Sequence, residues 1–467
     1  MERGGTQGIQ FIVQIVLARL LLPEEYGVIA LLTIFIALAN VFVQSGFNTA
    51  LIQKKNADEA DFSSVFFLSL FFAVLIYIIF FFAVPVIANF YDEPLLIPVL
   101  RVLSLTLFLG AFNSIQNAVV ARNMQFKKLF FSSMGAILVS GTIGIYMAYS
   151  GFGVWALVGQ QLTNQLLVLT ILGFTVKWRP RLLFSLERVK SLFSFGWKLL
   201  VSSLIDTLYM DLRSLIIGKM YSPAMLGFYN RGQQFPLIIV TNINGSIQSV
   251  MLPVLSSQQD NRSRVRDMVR RAIVTSSFII FPMMVGLAVT AEPLVKILLT
   301  DKWLPCVPFL QIFCASYALW PIHTANLQAI NALGRSDIFL RLEIIKKAMG
   351  LFILAVTVYY GVYAIALGLV LSGVISTFIN AYPNKKLLNY SYKEQWKDIM
   401  PSLLLSLVMG AVVYSIQWLG MKVWPTLIVQ VCVGIILYVG MAWIFKLECL
   451  NYLLSTCNDI LKSRKGI

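Results

Sequence analysis

Apolar segments about as long as a lipid bilayer is thick recur along the whole chain, and this feature constrains the fold most strongly. A helix needs about 20 apolar residues to cross a hydrocarbon core of roughly 30 Å. Inside that core each backbone N–H and C=O must be paired within its own segment, so such segments fold as helices. Of the 467 residues, 58% are hydrophobic and 12% are charged. This composition leaves too little polar surface for a soluble domain of this length. The sequence therefore predicts an all-α integral membrane protein.

About fourteen transmembrane helices are predicted from the length and apolar character of these segments. The connections between them are short, so we expect no inserted soluble domain. The predicted spans cover, in order, Thr6–Leu22, Gly27–Gln53, Phe62–Ala88, Ile97–Ala121, Leu129–Tyr149, Gly153–Val176, Phe195–Met220, Met225–Val254, Met268–Thr290, Pro305–Leu333, Ile338–Tyr360, Val362–Leu387, Ile399–Leu419 and Pro425–Phe445.

The loops between the spans alternate in charge, with every second loop basic and the others nearly free of lysine and arginine. Basic loops stay on the cytoplasmic side of a membrane, so the alternation predicts an even number of spans and two cytoplasmic termini. It also accounts for the formal charge of +16, and we expect no nucleic-acid partner. The basic loop and tail residues include Lys54, Lys55, Arg122, Lys177, Arg188, Arg264, Lys347, Lys386, Lys462, Arg464 and Lys465.

Few residues are suited to metal binding or catalysis. The five cysteines have no Cys-x-x-Cys spacing and His323 is the single histidine, so we expect no disulfide framework, no metal and no other cofactor. The sequence contains neither a Ser–His–Asp arrangement nor a phosphate-binding loop of the Gly-x4-Gly-Lys type. It therefore predicts a protein that is not an enzyme. For His323 a hydrogen-bonded core position is favoured over a proton relay.

Short motifs recur in the two halves of the chain. Arg-x-x-x-Pro-x-x-x-Gly at residues 19–27 ends the first span and opens the second, and Lys-x-x-x-Pro-x-x-x-Gly does the same at residues 219–227. Gly-Val-Trp-Ala at 153–156 and Gly-Val-Tyr-Ala at 361–364 open spans six and twelve. The shared order and nearly constant offset predict duplication of a six-helix unit.

This duplication gives the predicted domain organisation. Two six-helix lobes cover residues 1–176 and 195–387 and are joined by a basic cytoplasmic linker at 177–194. Because six is even, both copies have the same orientation and are related by a pseudo-two-fold axis along the membrane normal. Two further helices at 388–445 and a cytoplasmic tail at 446–467 complete the chain.

Polar residues form helical stripes on four predicted spans, which are the opening pair of each repeat. Such residues are costly inside a membrane and usually face a bundle interior or a wet cavity. The stripes are Arg3, Gln7, Gln10 and Gln14; Thr33, Asn40, Gln44 and Asn48; Ser202, Asp206, Tyr209 and Arg213; and Arg231, Gln234, Asn242 and Gly245. We infer one central cavity at the interface of the lobes.

The candidates for contact with a transported substrate come from these stripes and from one helix end. They are Arg231, Arg213, Arg19, Gln10, Gln14, Asn40, Gln44, Gln234 and Asn242, with Asp206 as the candidate for ion coupling. The alternative for each amide or hydroxyl is that it joins neighbouring helices by hydrogen bonds. Arg19 at a span end can also simply extend to the interface, and Asp206 and Arg213, seven residues apart on one face, can neutralise each other.

Several stretches resemble the polysaccharide-transport branch of the multidrug/oligosaccharidyl-lipid/polysaccharide exporter superfamily, most closely the teichuronic-acid and colanic-acid exporters. The resemblance covers essentially the whole chain. One feature departs from it, because family members usually carry a basic lead before helix one, whereas Met1 here falls at the start of that helix. The stretches are Gln7–Phe11, Ala18–Gly27, Ser45–Phe47, Ala50–Lys55, Gly151–Val158, Leu226–Arg231 and Asn380–Asn384.

The resemblance implies a flippase of the bacterial cytoplasmic membrane. It would translocate a polyprenyl-diphosphate-linked oligosaccharide from the cytoplasmic to the outer leaflet by alternating access of two six-helix lobes. Its partners would be this lipid-linked glycan, membrane lipid, a polysaccharide polymerase and glycosyltransferases. Related flippases have a cationic cavity between helices one, two, seven and eight, where Arg213 and Arg231 are best placed to meet a diphosphate.

Three other functions fit the sequence less well. A cation-coupled multidrug antiporter of the same superfamily would favour acidic cavity residues, but the four stripes hold three arginines and one aspartate. A membrane-embedded polymerase or ligase would need long outward loops with clustered charges. A structural scaffold would have no use for a polar-lined core. The antiporter remains the nearest alternative.

Overall fold

The computed structural model describes residues 2–44, 47–54, 57–176 and 178–455, and the regular secondary structure in these ranges is all helical. This confirms the predicted all-α class. Some residues named above lie outside the description, as do the side chains of Arg3 and Asn48. They are Met1, Ser45, Gly46, Lys55, Lys177 and the tail residues from 456 onward, which include Cys457, Lys462, Arg464 and Lys465.

Eighteen α-helices and three short 3₁₀ helices have both ends inside the described ranges, and residues 448–455 are helical as well. The α-helices are α1 Glu2–Leu20, α2 Pro23–Gln44, α3 Phe47–Gln53, α4 Glu59–Tyr91, α5 Leu96–Leu103, α6 Thr106–Arg122, α7 Phe126–Tyr149, α8 Val154–Thr175, α9 Leu186–Met220, α10 Pro223–Ser256, α11 Arg262–Val289, α12 Ala291–Leu299, α13 Val307–Ala318, α14 Trp320–Ala332, α15 Ser336–Thr357, α16 Val362–Leu387, α17 Tyr392–Ser415 and α18 Val423–Ile444. The 3₁₀ helices are Asp301–Cys306, Val358–Tyr360 and Ile416–Leu419.

Eleven helical segments of the described ranges are long and apolar enough to cross a membrane. The chain is therefore a multispanning membrane protein. Predicted spans one, seven and eleven correspond to α1, α9 and α15, which are helical but are not among the eleven. Each of the three carries several amide or charged side chains, such as Gln14, Asp206 and Lys346, which lower its apolar character. The count of fourteen stays a prediction.

Several predicted spans are interrupted. Span four divides at Ser104, whose hydroxyl donates to the Leu100 carbonyl at 2.6 Å. Span ten divides between α13 and α14, where Pro321 occupies the first turn of the new helix. A proline lacks an N–H and is tolerated there but not in a helix interior. The stretch between spans nine and ten also folds into α12 and a 3₁₀ helix, which the sequence analysis did not anticipate.

The repeated Gly-Val-aromatic-Ala motif has the same local role in both places. Gly153 precedes α8 with φ of 56° and Gly361 precedes α16 with φ of 105°. Glycine adopts these positive φ values without a steric penalty, whereas other residues do so rarely. Both motif glycines thus provide a positive φ at a helix start, and the duplication stays a prediction.

The chain divides into two compact units, residues 1–230 and 231–467. In the first unit α7 packs closely against α1 and α8 through small residues at four-residue spacing, among them Ser132, Ala136, Gly144 and Ala148. A Cβ on Gly144 would lie only 2.9 Å from the Cβ of Gln160 on α8. Membrane helices gain little from apolar burial against lipid, so this close approach holds them together.

The second unit is organised around α11, which packs against α13, α14 and α17. A buried cluster at one end includes Phe281, Ile322, Ala325, Tyr390 and Ile399. The boundary between the units falls inside α10, so the α9–α10 corner belongs to the first unit by its contacts. The lobe boundary predicted at 177–194 comes from the sequence duplication and stays a prediction.

An ionic cluster fixes the basic linker to the start of α4 in the first unit. The Asp61 carboxylate is fully buried and accepts from Lys54 Nζ at 2.7 and 2.8 Å. Arg188 on α9 pairs with Asp58 and lies 3.4 Å from Asp61. Hydrogen bonds from Arg188 and from the Asp61 backbone N–H lower the pKa of Asp58 to about 2. The linker is thus held by specific contacts, and α9 begins earlier than predicted, at Leu186.

Candidate substrate site in the membrane helices

Arg213 is a buried cation on α9 in the first unit. It is 7% exposed, and its guanidinium carbon lies 5.7 Å from the centre of the Tyr209 ring, one turn earlier on the same helix. A cation over an aromatic face is stabilised by the ring quadrupole. The ion pairs formed by the described residues do not include Arg213. Asp206, the predicted coupling residue, is exposed. Arg213 therefore has the burial and charge expected of an anion-binding residue.

The amides of α1 and α2 have mixed environments in the same unit. Gln14 is half-buried, and its Nε2 lies 3.5 Å from Oε1 of the buried Gln160 on α8. Asn40 is half-buried beside α6, where a Cβ on Gly110 would lie 3.1 Å from its Oδ1. Gln10 is half-buried and Gln44 is exposed. Gln14 thus makes the interhelical contact that was the alternative to a substrate role.

Arg19 is exposed at the C-terminal end of α1. A cation in the last turn of a helix interacts favourably with the negative end of the helix dipole. This position is compatible with the interfacial role weighed for Arg19, and the substrate role stays a prediction.

Arg231 forms the centre of a polar and aromatic group in the second unit. It is 4% exposed, donates from Nη1 to Gln234 Oε1 at 2.5 Å, and stacks 5.2 Å from the ring centre of the buried Trp303. Gly232 allows this arrangement, because a Cβ there would lie 2.7 Å from the Cβ of Phe309. The two predicted residues Arg231 and Gln234 are therefore brought together.

Asn242 lies further along α10 and is exposed. Its Nδ2 donates to the Ile238 carbonyl of the same helix at 2.8 Å. On the other side of α10, Asn244 is 4% exposed, and neither of its side-chain polar atoms has a hydrogen-bond partner among the described residues. Buried unpaired amides are uncommon. Asn244 lies off the polar stripe of this span, so helical spacing gave no signal for it.

Other buried amides connect helices within one unit. Asn113 Nδ2 on α6 donates to Gln165 Oε1 on α8 at 2.8 Å. In the second unit Asn380 Nδ2 on α16 lies 3.2 Å from His323 Nδ1 on α14, so His323 has the hydrogen-bonded position that was favoured for it. Spans four and six are thus joined as spans ten and twelve are joined.

A fully buried amide triad lies at the junction of α14, α16 and α17. Asn326 and Gln395 exchange two hydrogen bonds of 2.9 and 3.0 Å, and Asn384 Nδ2 donates to Asn326 Oδ1 at 2.6 Å. Such paired networks rigidify a bundle. Gln395 precedes the predicted start of span thirteen, so the apolar pattern gave no signal for this contact.

The described residues contain no group of three or more histidine, cysteine, aspartate and glutamate side chains that could hold a metal ion. The polar groups instead consist of amides and arginines on long apolar helices. Together, the fold and these groups define a multispanning helical membrane protein with charged and amide side chains inside its bundle.

A family model described as "Polysaccharide biosynthesis protein" matches residues 16–308, and the chain belongs to this family. It is similar to the teichuronic acid biosynthesis protein TuaB of Bacillus subtilis, with 23% identity over 86% of this chain and 84% of that protein. The lipopolysaccharide biosynthesis protein WzxC of Escherichia coli is 24% identical over 92% of this chain and 85% of its own length. The resemblance to the polysaccharide-transport branch is confirmed.

Solved structures show the same fold. The lipid II flippase MurJ, in an inward closed conformation, matches with a TM-score of 0.78 and 16% identity, covering 95% of this chain and 97% of that one. An inward-facing multidrug resistance transporter of the MATE family matches with a TM-score of 0.63 and 14% identity, over 81% and 94% of the two chains. At these identities the likeness concerns the fold.

Proposed function

We propose that this protein is a flippase for a lipid-linked glycan. Its substrate is a polyprenyl-diphosphate-linked oligosaccharide, the precursor of a cell-surface polysaccharide, which moves from the cytoplasmic to the outer leaflet by alternating access. The observation that carries the proposal is the burial of two arginines, Arg213 and Arg231, on α9 and α10. Among the similar proteins, TuaB is a teichuronic acid biosynthesis protein, WzxC is a lipopolysaccharide biosynthesis protein and MurJ is a lipid II flippase.

The charge of the two buried residues matches the charge of the proposed substrate. A single charged side chain at the bilayer centre costs about 3 kcal/mol on insertion scales, so a diphosphate needs partners during its passage. Arginine pairs bidentately with phosphate oxygens, and each such contact contributes about 1.5–3 kcal/mol. Each arginine can offset part of the cost of the headgroup while still permitting its release.

The alternative is a cation-coupled multidrug antiporter, a function for which the MATE neighbours supply only a shared fold. An exporter of organic cations needs acidic side chains in its cavity. Here the acid of the four polar stripes, Asp206, is exposed, whereas Arg213 and Arg231 are buried. This distribution favours an anionic substrate. Asp206 is retained as the candidate for coupling to a proton or sodium ion.

The finer architecture of this proposal has about fourteen spans in two six-helix lobes related by a pseudo-two-fold axis, with two added C-terminal helices. It is supported by the positive φ values of Gly153 and Gly361 at equivalent helix starts. The alternating basic loops support cytoplasmic termini. We place the protein in a bacterial inner membrane, with glycosyltransferases supplying its substrate and a polysaccharide polymerase using its product.

The topology predicts opposite exposure of two positions in the second unit. Arg264 and Asp301, both exposed, lie in a predicted cytoplasmic loop and a predicted outward loop. In intact cells a membrane-impermeant maleimide should label Asp301→Cys but not Arg264→Cys, and permeabilisation should make both reactive. The parent chain with its native cysteines gives the background. Labelling of both variants from outside would contradict the topology.

The function is tested by complementation of a strain that makes the matching glycan and lacks its own flippase. Expression of this chain should restore surface polysaccharide to at least about ten times the empty-vector level, where a tenfold change corresponds to 1.4 kcal/mol. It should also reduce the lipid-linked oligosaccharide held in the inner leaflet. Continued accumulation of the lipid-linked precursor, with the protein present in the membrane, would refute the proposal.

A further inference from the structure

The two copies of the Pro-x-x-x-Gly motif meet in the first unit. Gly27 on α2 faces the Pro223 backbone, where an added Cβ would overlap the carbonyl oxygen and lie 2.9 Å from Cα. Gly227 on α10 faces the Pro23 backbone in the same way, where an added Cβ would overlap the carbonyl oxygen and lie 3.1 Å from the carbonyl carbon. We call this reciprocal contact of Pro23, Gly27, Pro223 and Gly227 the Pro–Gly clasp.

The clasp depends on the absence of side chains. Pro23, Gly27 and Gly227 are buried, and each glycine allows the partner backbone to approach where any other residue would collide. Contacts of this type are made by Cα–H groups and carbonyl oxygens, which form weak hydrogen bonds. The clasp is therefore close in space but weak in energy, and a single methyl group is enough to disrupt it.

Electrostatics also keeps the clasp weak. Pro23 and Pro223 are the first residues of α2 and α10, so the clasp brings two helix N-termini together. Each N-terminus carries a partial positive charge, and the two repel. Glu24 and Glu25 in the first turn of α2 offset part of this charge, while the first turn of α10 has no acidic residue. A contact built this way favours reversible separation over permanent attachment.

The neighbouring contacts of the α9–α10 corner are of the same reversible kind. Gly218 near the end of α9 lies against the Leu31 side chain of α2. Lys219 Nζ lies 3.0 Å from Asp92 Oδ2 after α4, in an exposed ion pair, and such pairs are worth little. A small apolar cavity beside the clasp is lined by Leu31, Tyr91 and Gly218. These contacts are why the α9–α10 corner belongs to the first compact unit.

We infer that the Pro–Gly clasp is a gate that closes one end of the transport path in this conformation and must part for substrate to leave there. The inference rests on the proposed transport function, because only an alternating-access protein needs such a closure. It assigns to the repeated motif a role in setting the balance between the closed and open states of that end.

The test adds a methyl group on either side of the clasp. Gly27→Ala and Gly227→Ala are made with Leu31→Cys, a buried position behind the clasp, and labelling by an impermeant maleimide is followed from each side of the membrane. Both variants should raise the labelling rate from one side at least about tenfold over Leu31→Cys alone. Gly8→Ala is the matched control, since a Cβ on Gly8 meets no atom within 4 Å, and it should leave the rate unchanged.

Folding is checked by melting temperature and by gel filtration in detergent. If the glycine variants do not fold, Lys219→Gln provides the test, because it removes the exposed ion pair without adding bulk and should raise labelling about twofold. Unchanged labelling in folded variants would overturn the gate. The labelling assay needs no substrate, so it can be separated from the test of function. Altered labelling without glycan transport would refute the proposed function and support the gate. Glycan transport with unaltered labelling would support the function and refute the gate.

Discussion

Replacing Arg213 and Arg231 together by alanine is expected to lower glycan export at least about 100-fold in the complementation assay. Each arginine–phosphate contact contributes about 1.5–3 kcal/mol, and 1.4 kcal/mol corresponds to a factor of ten. Each single variant should therefore lose about tenfold or more. Arg231→Lys should fall between the parent and Arg231→Ala, because lysine keeps the charge but not the planar bidentate geometry. Export is measured at matched expression.

A matched control separates a substrate role from a structural one. Arg262→Ala removes an exposed arginine from the first residue of α11 and should export normally. Arg213 is buried over a tyrosine ring, so Arg213→Ala removes a costly buried charge together with a favourable ring contact, and the melting temperature should change little. A substrate role predicts lost export with retained stability. Full export by the double variant would contradict a substrate role for the two arginines, and a large fall in stability for Arg213→Ala would indicate a structural arginine.

Much of the fold follows from the length of the apolar segments. Every predicted span coincides with one or more helices in the described ranges, because a segment in hydrocarbon has no other way to pair its backbone. The errors lie where tertiary contacts determine where a helix begins. The start of α9 at Leu186 was read as a basic loop, whereas Arg188 pairs with Asp58 and holds that turn. Hydropathy contains no information on such a partner.

The candidate site was less predictable than the fold. The contacts of Arg213 with Tyr209 and of Arg231 with Gln234 join residues four and three positions apart on one helix, and helical spacing predicts such pairs. The stacking of Arg231 on Trp303 joins distant parts of the sequence and has no periodic signal. The contact of Gln14 with Gln160 also joins distant parts of the sequence and has no periodic signal. The amides of span six nevertheless follow the helical spacing that identified the polar stripes on four other spans.

Exposure was the other quantity that sequence could not supply. Asp206 and Arg213 share a helix face by spacing, yet the structure leaves the first exposed and buries the second. The period of a helix gives the relative direction of its side chains but not how far neighbouring helices cover each of them. The reciprocal contact of Gly27 with Pro223 was likewise invisible, although the motif itself was recognised.

The central claim, transport of a lipid-linked glycan, is tested most directly with the purified protein in lipid vesicles. The vesicles carry a polyprenyl-diphosphate oligosaccharide with a fluorescent group on its sugar, and a membrane-impermeant reductant quenches the label that faces outward. With the protein present, quenching should proceed beyond the outer-leaflet share toward completion, and the Arg213→Ala/Arg231→Ala variant should stop at that share, as protein-free vesicles do. Quenching by the parent protein that stops at the outer-leaflet share, or equally fast movement of a labelled neutral phospholipid, would contradict the account.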